Sequence, residues 1–459
     1  MVMGKWEADG IWSNEWNGMM LEYIGMMTST CIILEGDISD VDIEKDDDFE
    51  NATVVDLNMT YDILPDIGLE LENYDNDNDI IPKFKQEFLP PPDKEILPYK
   101  YFKKFIDDDI INNLVEQTNI YSFQLSGKST NTNSSEIEKF LGIHLYTGIV
   151  ELPSIRQYWA IETVIPQISQ CMTRNGFLEL RKYFHINDNN NIILRGQPNY
   201  DKLFKLRPFI SALKMYMRKI QLEEKLSIDE MIVPFKGRCE FKQYISSTKL
   251  HKWGIKNFAL CGSSEMLYDF EIYLGKCTNI KKTLMGISGD IVIRLLETVP
   301  PHKNHKIYTD NFFPSYNLAV ALKDNGFIMS GTIRSNRLLG CHLVDDKILK
   351  KKGRGSLDYK VDSNNNIIIC KWFDNKSVIT ISLFMGINPS SRTKRWSVSE
   401  KSFINVEIPA IIQNYNAGMG GVDLHDMLIK LFRIDIKWKR FYMRIFFHLL
   451  DSCVHQTER

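Results

Sequence analysis

The chain has 459 residues, of which 44% are hydrophobic and 25% are charged, so it is long enough for two to four globular domains. The apolar stretch 19–34 contains Glu22 and lacks a preceding basic segment, which excludes a signal peptide or a membrane span there. The 8 Cys form no CxxC pair and no Cys/His cluster at zinc-finger spacing. We therefore expect free thiols, no structural zinc, no membrane partner, and a cytosolic or nuclear location.

The net charge of −3 conceals a division near residue 95. Residues 1–95 contain 24 acidic and 5 basic residues, whereas residues 96–459 contain 35 acidic and 51 basic ones. The first part therefore carries a net charge of −19 and the second a net charge of +16. A strongly positive body is typical of proteins that neutralise the phosphates of nucleic acid. A basic soluble domain without such a partner is the alternative on charge alone.

The predicted elements begin after an acidic tail. Residues 36–80 are rich in Asp, Glu and Asn, and they cannot bury enough apolar area to offset the entropy of ordering. We therefore interpret residues 1–95 as a disordered tail. The cluster Pro90–Pro92 marks the approach to the folded part, because proline disfavours helix in the residue before it.

Residues 96–224 follow as a helical segment. Apolar residues recur at helical spacing in "IEKFLGIHLYTGIV", which starts at Ile137, and in "FLELRKYFHI", which starts at Phe177. Asn, Gly and Pro interrupt this pattern over 188–202, which predicts a surface loop.

Residues 225–336 change to short runs rich in Ile, Phe and Tyr. The runs "KLSIDEMIVPF", "KWGIKNFALCG" and "LYDFEIYLG" predict three strands of an antiparallel meander. A helix over about 279–298, interrupted by two glycines, is expected next. A strand ending at Asp310, a helix from Pro314 and the strand "FIMSGTIR" complete the segment. This order predicts a mixed sheet with helices, an α/β or α+β architecture.

The rest of the chain divides into three segments. Residues 337–409 contain strand-like runs such as "NNIIICKWFDN" and "SVITISLF", which predict an inserted β-rich subdomain. Residues 410–430 and 431–459 both have a helical pattern, and the second segment stops inside an unfinished helix.

Three aspartates have a spacing that suits phosphoryl chemistry. Transfer of a phosphodiester needs charge stabilisation on the attacking and leaving oxygens, which two divalent ions about 3.5–4 Å apart provide. Carboxylates hold such ions, because Mg²⁺ and Mn²⁺ prefer oxygen ligands. The required pattern is one Asp within a strand, one at the end of an adjacent strand and one on a helix that crosses that edge. The candidates are Asp229 in "LSIDEM", Asp310 in "IYTDNFF" and Asp423 in "GGVDLHDM".

Each of these aspartates also has a simpler structural interpretation. Asp229 could be an edge-strand acid that faces solvent, because an unpaired buried carboxylate is costly. Asp310 could cap the helix that follows it. Asp423 and Asp426 share one helical face and could be first-turn acids that favour the helix dipole. Taken singly, none of the residues decides between a ligand role and a structural role.

Together with their flanks, these residues resemble the piggyBac transposase family. The matching segments occur in family order between about 102 and 451, most densely over 226–337 and 413–451. They are "SIDEMIVPFKGR", "FKQY", "HKWGIK", "YDFEIYLGK", "TDNFFPSYNLAVALKDNGF", "GTIRSNR", "YNAGMGGVDLHDMLIKLFRI" and "RIFFHLLD". So many ordered matches make a chance resemblance implausible.

The resemblance implies a ribonuclease-H-like α/β catalytic domain. It implies that Asp229, Asp310 and Asp423 are catalytic, and that these three and Asp426 bind two Mg²⁺ or Mn²⁺ ions. The implied reaction is nicking at transposon ends, a hairpin on a TTAA overhang and insertion at TTAA sites. The implied partners are double-stranded DNA and a second copy in a homodimer, in the nucleus.

The same resemblance assigns the segments of the chain. In this scheme the helical dimerisation and DNA-binding domain is 96–224, the catalytic domain comprises 225–336 and its last helix 410–430, the insertion is 337–409, and a shortened C-terminal helical segment is 431–459.

Four basic residues in the matching segments correspond to positions near DNA in the family. An Arg can fork onto phosphates or guanine edges, and a solvated strand end is the alternative role. Lys252 and Trp253 in "HKWG" could also contact DNA or a base, although packing in the core or at a sheet edge is the commoner fate of a Trp. The four basic residues are Lys236, Arg238, Arg334 and Arg337.

The sequence departs from the family pattern at its C-terminal end. Family transposases commonly carry a cysteine-rich, zinc-binding domain that reads transposon ends, and this sequence stops at Arg459 without one. Two functions are therefore expected in competition: an active DDD transposase, or a domesticated or truncated relic that binds DNA without transposition. A protein-interaction adaptor that uses the acidic tail is a third possibility, and it predicts no DNA affinity.

Overall fold

The computed structural model of the protein describes residues 83–85, 98–245, 252–275, 278, 280–434 and 438–456. Apart from 83–85, the predicted disordered tail 1–95 lies outside the described residues. The short piece 83–85 lies against the main body, where the backbone N–H of Lys85 donates to the carbonyl of Lys303 at 3.1 Å.

The described chain begins with a helical part, as the apolar spacing predicts. Helices α2, α3 and α5 each begin with a side-chain cap, because Asp107, Asn133 and Thr173 accept a hydrogen bond from the amide three residues ahead. The predicted loop 188–202 contains a short 3₁₀ turn at Asn189–Asn191. The helices of this part are Pro98–Phe105 (α1), Asp108–Ser126 (α2), Ser134–Ile149 (α3), Pro166–Ser169 (α4), Arg174–Tyr183 (α5) and Arg207–Met217 (α6).

The strands form one large mixed sheet and one separate hairpin. Their bounds are Lys225–Pro234 (β1), Gln243–Tyr244 (β2), Trp253–Gly262 (β3), Leu267–Ile272 (β4), Lys306–Thr309 (β5), Ile328–Thr332 (β6), Leu357–Asp362 (β7), Ile367–Phe373 (β8), Ser377–Ser382 (β9), Ser391–Ser397 (β10) and Ser402–Ile408 (β11).

The centre of the sheet has the strand order β4–β3–β1–β5–β6. Strand β1 pairs antiparallel with β3, and β3 pairs antiparallel with β4. Strands β1 and β5 are parallel, as are β5 and β6. This order and orientation is the ribonuclease-H-like arrangement, so the predicted meander and the predicted α/β fold class are both confirmed.

Strands from the 337–409 segment extend this same sheet. Strand β9 pairs antiparallel with β6, and β8 and β7 continue outward from β9. The remaining strands β10 and β11 pair only with each other among the described residues. The segment therefore contributes three strands to the central sheet and one hairpin, whose Val406 and Ile408 pack with buried residues of β7 and β8.

Six further helices lie between and after the strands of the described chain. The expected helix over about 279–298 is shorter than predicted and starts at Gly286, whose φ of +74° lies outside the helical range. The pattern over 410–430 gives two helices, separated at Met419 and Gly420. The bounds are Gly286–Leu296 (α7), Tyr316–Asp324 (α8), Asp346–Lys352 (α9), Ala410–Gly418 (α10), Gly421–Leu431 (α11) and Phe441–Gln456 (α12).

Alternation along β1 divides the core between the two faces of the sheet. Met231 and Val233 belong to a cluster that includes buried residues of α1, α2, α3 and α12. Leu226 and Ile228 belong to a second cluster with buried residues of α7 and α8. The central sheet is thus covered by helices on both faces, which fixes β1 rigidly between them.

Two expectations about cysteines and membranes bear on the rest of the chain. None of the described helices combines the length and hydropathy needed to cross a membrane. The described cysteines are free thiols, as expected from their spacing: Cys171, Cys239, Cys261, Cys341, Cys370 and Cys453.

Candidate active site

Asp229 lies in the middle of the central strand β1. This strand is paired on both sides, with β3 and with β5, and Asp229 stands opposite Ala259 of β3. The interpretation of Asp229 as a solvent-facing acid on an edge strand is therefore wrong. Its Oδ1 accepts a hydrogen bond from the backbone N–H of Glu230 at 2.8 Å, which fixes the carboxylate against the strand.

Asp310 follows strand β5 directly, beside Asp229. The parallel register pairs Ile228 with Thr309, so the next residue on each strand is an aspartate. The interpretation of Asp310 as a helix cap is wrong, because Ser315 caps α8 and its Oγ accepts from the amide of Leu318 at 3.2 Å. The carboxylate of Asp310 is thus available at the end of the strand.

Asp423 lies in the first turn of α11, which crosses the sheet next to β1 and β3. The helix approaches closely because Gly421 has no side chain. A Cβ there would lie 2.2 Å from the carbonyl oxygen of Gly262 and 2.7 Å from Ser227 Oγ. Asp423 also occupies the first turn, where a negative charge suits the helix dipole, so the structural interpretation is correct. It is compatible with a ligand role, which stays a prediction.

The three carboxylates are close enough to act on one another. Burial raises the pKa of Asp229 well above its usual 3.8, and the negative charges of Asp310, Asp423 and Glu230 raise it further. Charges on β5 and α11 therefore converge on the central strand. The aspartates selected from the sequence therefore lie on neighbouring parts of the fold: on β1, directly after β5 and on α11.

Their arrangement is a suitable set of oxygen donors without being a closed cage. Among the described residues, no three His, Cys, Asp or Glu side chains stand within coordination range of a common point. The two observations are compatible, because Coulomb repulsion acts over longer distances than coordination and spreads like charges apart. Hard oxygen donors of this kind fit Mg²⁺ or Mn²⁺, and a cation between them would offset the repulsion at Asp229.

Asp426, the fourth predicted metal ligand, is already engaged. Its Oδ2 lies 2.6 Å from Lys430 Nζ, and its side chain is 14% exposed. Burial raises the pKa of the Cys261 thiol on β3, and the charges of Glu265 and Glu223, followed by those of Asp229 and Asp426, raise it further. A ligand role for Asp426 stays a prediction, and it would require the carboxylate to bind a metal ion while it also contacts Lys430.

Two uncharged residues beside the carboxylates were not identified from the sequence. Thr332 Oγ1 donates to Asp310 Oδ1 at 3.2 Å and lies 3.4 Å from the hydroxyl of Tyr415. Burial raises the pKa of that hydroxyl, and the charges of Asp310, Asp229 and Asp423 add to the effect. Both residues lie in segments that carry the family resemblance, yet neither has a charge or spacing that would single it out.

The predicted DNA-binding residues fall into two groups. Lys236 and Arg238 are exposed in the turn after β1 and have no hydrogen-bond or ion-pair partner within the described ranges. Arg334 is exposed as well, with its Nη2 3.3 Å from Asn311 Oδ1. Arg337 is only partly exposed, and its Nη1 donates to the carbonyl of Phe312 at 2.6 Å. Arg337 therefore fixes the loop after Asp310, whereas the other three can contact a phosphate.

Trp253 lies at the edge of the sheet, at the start of β3, and is 46% exposed. Its ring meets the ring of Tyr244 at 5.2 Å and 70°, and Lys242 Nζ lies 5.0 Å from the centre of its ring. Trp253 therefore packs at the edge of the sheet, which is one of the structural roles expected for it, and about half of the residue remains exposed. Lys252 is exposed beside it.

Comparison with known proteins gives a consistent result. The family described as Transposase IS4 matches residues 97–455. PiggyBac transposable element-derived protein 3 of Homo sapiens is 34% identical over 353 residues, which cover 75% of this chain and 58% of that protein. PiggyBac transposable element-derived protein 2 of Homo sapiens is 28% identical over 374 residues, which cover 79% of this chain and 61% of that protein. The chain thus spans about three fifths of the length of these relatives.

A solved structure shares the fold. The cryo-EM structure of the piggyBac transposase synaptic complex with hairpin DNA superimposes with a TM-score of 0.64 at 22% sequence identity. The match covers 78% of this chain and 73% of that chain. It agrees with the ribonuclease-H-like strand order of the central sheet.

Proposed function

The chain belongs to the piggyBac family of transposases, and from this premise we propose that it binds double-stranded DNA and catalyses metal-dependent strand cleavage and transfer. The observation that carries this proposal is the placement of the three aspartates on neighbouring elements: the parallel register of β1 and β5 sets Asp310 beside Asp229, and α11, which carries Asp423, packs on β1 and β3. Such convergence of carboxylates is costly without a cation to offset it, and it is what a two-metal phosphoryl-transfer site requires.

Each residue of the site has a distinct task in this proposal. Asp229, Asp310 and Asp423 hold divalent ions, which when bound stabilise charge on the attacking and leaving oxygens of the phosphodiester. Thr332 orients the carboxylate of Asp310 through its hydroxyl. Tyr415, buried behind Thr332, closes the site on the side of α10.

The proposal has finer parts that follow from the family. We propose TTAA as the target sequence, a hairpin on the TTAA overhang, Mg²⁺ or Mn²⁺ as the ion, a homodimer as the acting form and the nucleus as the location. The positive charge of the chain after residue 95 and the exposed Lys236, Arg238 and Arg334 support contact with DNA phosphates.

A second candidate is an element-derived protein that binds DNA without transposing it. The names of the human relatives, which describe them as derived from transposable elements, favour this candidate. Both candidates require DNA binding, and they differ only in whether a strand is cut.

A nicking assay separates the candidates. A duplex that contains TTAA is incubated with the protein in Mg²⁺ or Mn²⁺, and the cut strand is quantified. The transposase proposal predicts cleavage that disappears in Asp229→Asn and Asp310→Asn while DNA binding persists. Asp324→Asn, at the exposed end of α8, is the matched control and should cut normally.

Three outcomes would count against the proposal. Cleavage that persists in both site variants would remove the assigned mechanism. DNA affinity that does not change with salt would remove the electrostatic part, because the logarithm of affinity should fall by about 0.9 per neutralised phosphate for each tenfold rise in salt. Binding without cleavage by the unaltered protein would favour the second candidate.

A further inference from the structure

An exposed aromatic pair stands at the end of the sheet, away from the carboxylates. Tyr244 of β2 and Trp253 of β3 are direct partners in the antiparallel register and are 48% and 46% exposed. Large aromatic side chains are usually buried, and a pair exposed to this degree costs solvation free energy unless it has a partner. We call Tyr244 and Trp253 the aromatic platform.

Positive charge surrounds the aromatic platform. Lys242 Nζ lies 5.0 Å from the centre of the Trp253 ring, a cation–π contact, and it also donates to the carbonyl of Gly237 at 2.9 Å. Gly237 separates Lys236 from Arg238, both of which are exposed and unpaired within the described ranges. Lys242 therefore joins the platform to this basic turn.

The backbone ties the same parts together. The amide of Phe235 donates to the carbonyl of Trp253 at 3.3 Å, so the platform begins directly beside the basic turn. The negative charge of Glu240, the acidic residue of this turn, is offset by ion pairs with Arg195 at 3.3 Å and Lys202 at 3.1 Å. The surface around the platform is consequently basic, and its charge complements a phosphate backbone rather than an acidic neighbour in the chain.

The combination of exposed aromatic rings and unpaired basic residues matches single-stranded nucleic acid. Base–aromatic stacking needs an accessible base face, and in a duplex these faces are stacked on one another. A strand-cleavage reaction exposes such faces wherever nucleotides become unpaired. A duplex alone would satisfy the basic residues and leave the aromatic platform without a use.

We propose that the aromatic platform stacks an unpaired nucleotide of the DNA, while Lys236, Arg238 and Lys242 contact its phosphates. This inference rests on the proposed function, since it identifies which part of the DNA the chain holds. Trp253 lies six residues along β3 from Ala259, the partner of Asp229. At about 3.4 Å per residue the platform is roughly 20 Å from Asp229, so it positions DNA and does not take part in the chemistry.

The test compares two DNA ligands by fluorescence anisotropy. One is a blunt duplex of mixed sequence, and the other is a single strand of the same length. Trp253→Ala and Tyr244→Ala should each weaken binding of the single strand by about 5-fold to 100-fold, the range of one lost base–aromatic stack, and change duplex binding much less. Trp253→Phe keeps a ring and should retain most of the single-strand affinity.

Phe123 of α2 provides a matched control. It is 62% exposed, and α2 contains no Lys or Arg, so it is an exposed aromatic residue without the basic neighbours of Trp253. Phe123→Ala should leave both affinities within about twofold. An equal loss in Phe123→Ala and Trp253→Ala, or an equal loss for the duplex and the single strand, would overturn the proposal.

A second readout reports stacking itself. 2-Aminopurine placed in the single strand should lose fluorescence on binding to the unaltered protein and to Trp253→Phe, and keep it with Trp253→Ala. Persistent quenching with Trp253→Ala and Tyr244→Ala would also overturn the proposal. Nicking measured on the same preparations distinguishes failure of the platform proposal from failure of the proposed function. If Asp229→Asn abolishes nicking while Trp253→Ala and Tyr244→Ala bind the single strand normally, only the platform proposal is wrong.

Discussion

Gly421→Ala separates the placement of Asp423 from the chemistry of its carboxylate. A Cβ at Gly421 would lie 2.2 Å from the carbonyl oxygen of Gly262, whereas a carbon–oxygen contact requires about 3.3 Å. The atom that blocks it is backbone and cannot rotate away, so α11 must move from β3 by about 1 Å. Asp423 lies two residues further on the same helix and moves with it.

The magnitude of the effect follows from this displacement. A misplacement of about 1 Å at a reacting site can cost about 100-fold in rate, so we expect nicking to fall by that factor. The strain should lower the free energy of unfolding by about 1–3 kcal/mol. DNA affinity should fall far less than the nicking rate, because Gly421 is buried against the sheet and the basic residues proposed to contact DNA, Lys236, Arg238 and Arg334, do not lie on α11.

The neighbouring glycine is the control. A Cβ at Gly420 would meet nothing within 4 Å, and its φ of −74° suits any residue. Gly420→Ala should therefore cut DNA at nearly the normal rate. The assay is single-turnover nicking at a temperature well below the unfolding midpoint of both variants. Equal rates for Gly421→Ala and Gly420→Ala would refute the idea that close approach of α11 sets the position of Asp423.

Two further predictions concern stability. His144 is buried, and burial is the chief cause that lowers its pKa from 6.5 to about 3. As the pH falls below 6.5, His144 becomes protonated in the unfolded chain but stays neutral in the folded chain, so the free energy of unfolding falls. At pH 5 the free energy of unfolding should be lower by about 2 kcal/mol for this reason. His144→Phe should remove this part of the acid sensitivity in denaturant titrations, and an unchanged dependence of stability on pH would contradict the prediction. Arg294 Nη1 lies 3.1 Å from Asp269 Oδ2, whose side chain is 2% exposed, and Lys214 contacts the same carboxylate at 3.3 Å. Arg294→Met should lower the free energy of unfolding by about 3 kcal/mol, which is the low end for a broken buried ion pair because Lys214 remains. Glu297 is exposed beside Arg294, so Glu297→Gln should lower it by less than about 0.5 kcal/mol. Similar midpoints for these two variants in urea would show that the network contributes little.

The strands of the catalytic sheet could be predicted because their signal is local. Apolar runs around Asp229 and before Asp310 are short, rich in β-branched and aromatic residues and bounded by turn residues. Their pairing places the two aspartates side by side, as expected for adjacent strands. The helix that carries Asp423 was also predictable from its apolar spacing.

Other features depend on contacts between distant parts of the chain. Asp310 and Ser315 are both good cap residues, and only the folded structure decides that Ser315 caps α8. Thr332 and Tyr415 lie 83 positions apart and meet only because α10 packs on β6. A neutral hydroxyl has no chemical signature that would mark it as a neighbour of the carboxylates.

The strands of the 337–409 segment show the same limit. Their existence followed from local composition, but the pairing of β9 with β6 joins residues about 50 positions apart. Such pairing is specified by packing across the whole sheet rather than by either strand alone. The break between α10 and α11 likewise depends on the close approach of Gly418 and Gly421 to the sheet.

Crystallographic location of Mn²⁺ by anomalous scattering tests the central claim most directly. If Asp229, Asp310 and Asp423 form one metal site, crystals of the DNA-bound protein soaked in Mn²⁺ should show strong anomalous density among these carboxylates, and Asp229→Asn should remove or weaken it. Anomalous density that is absent there in well-ordered crystals, or that is unchanged in Asp229→Asn, would contradict the account.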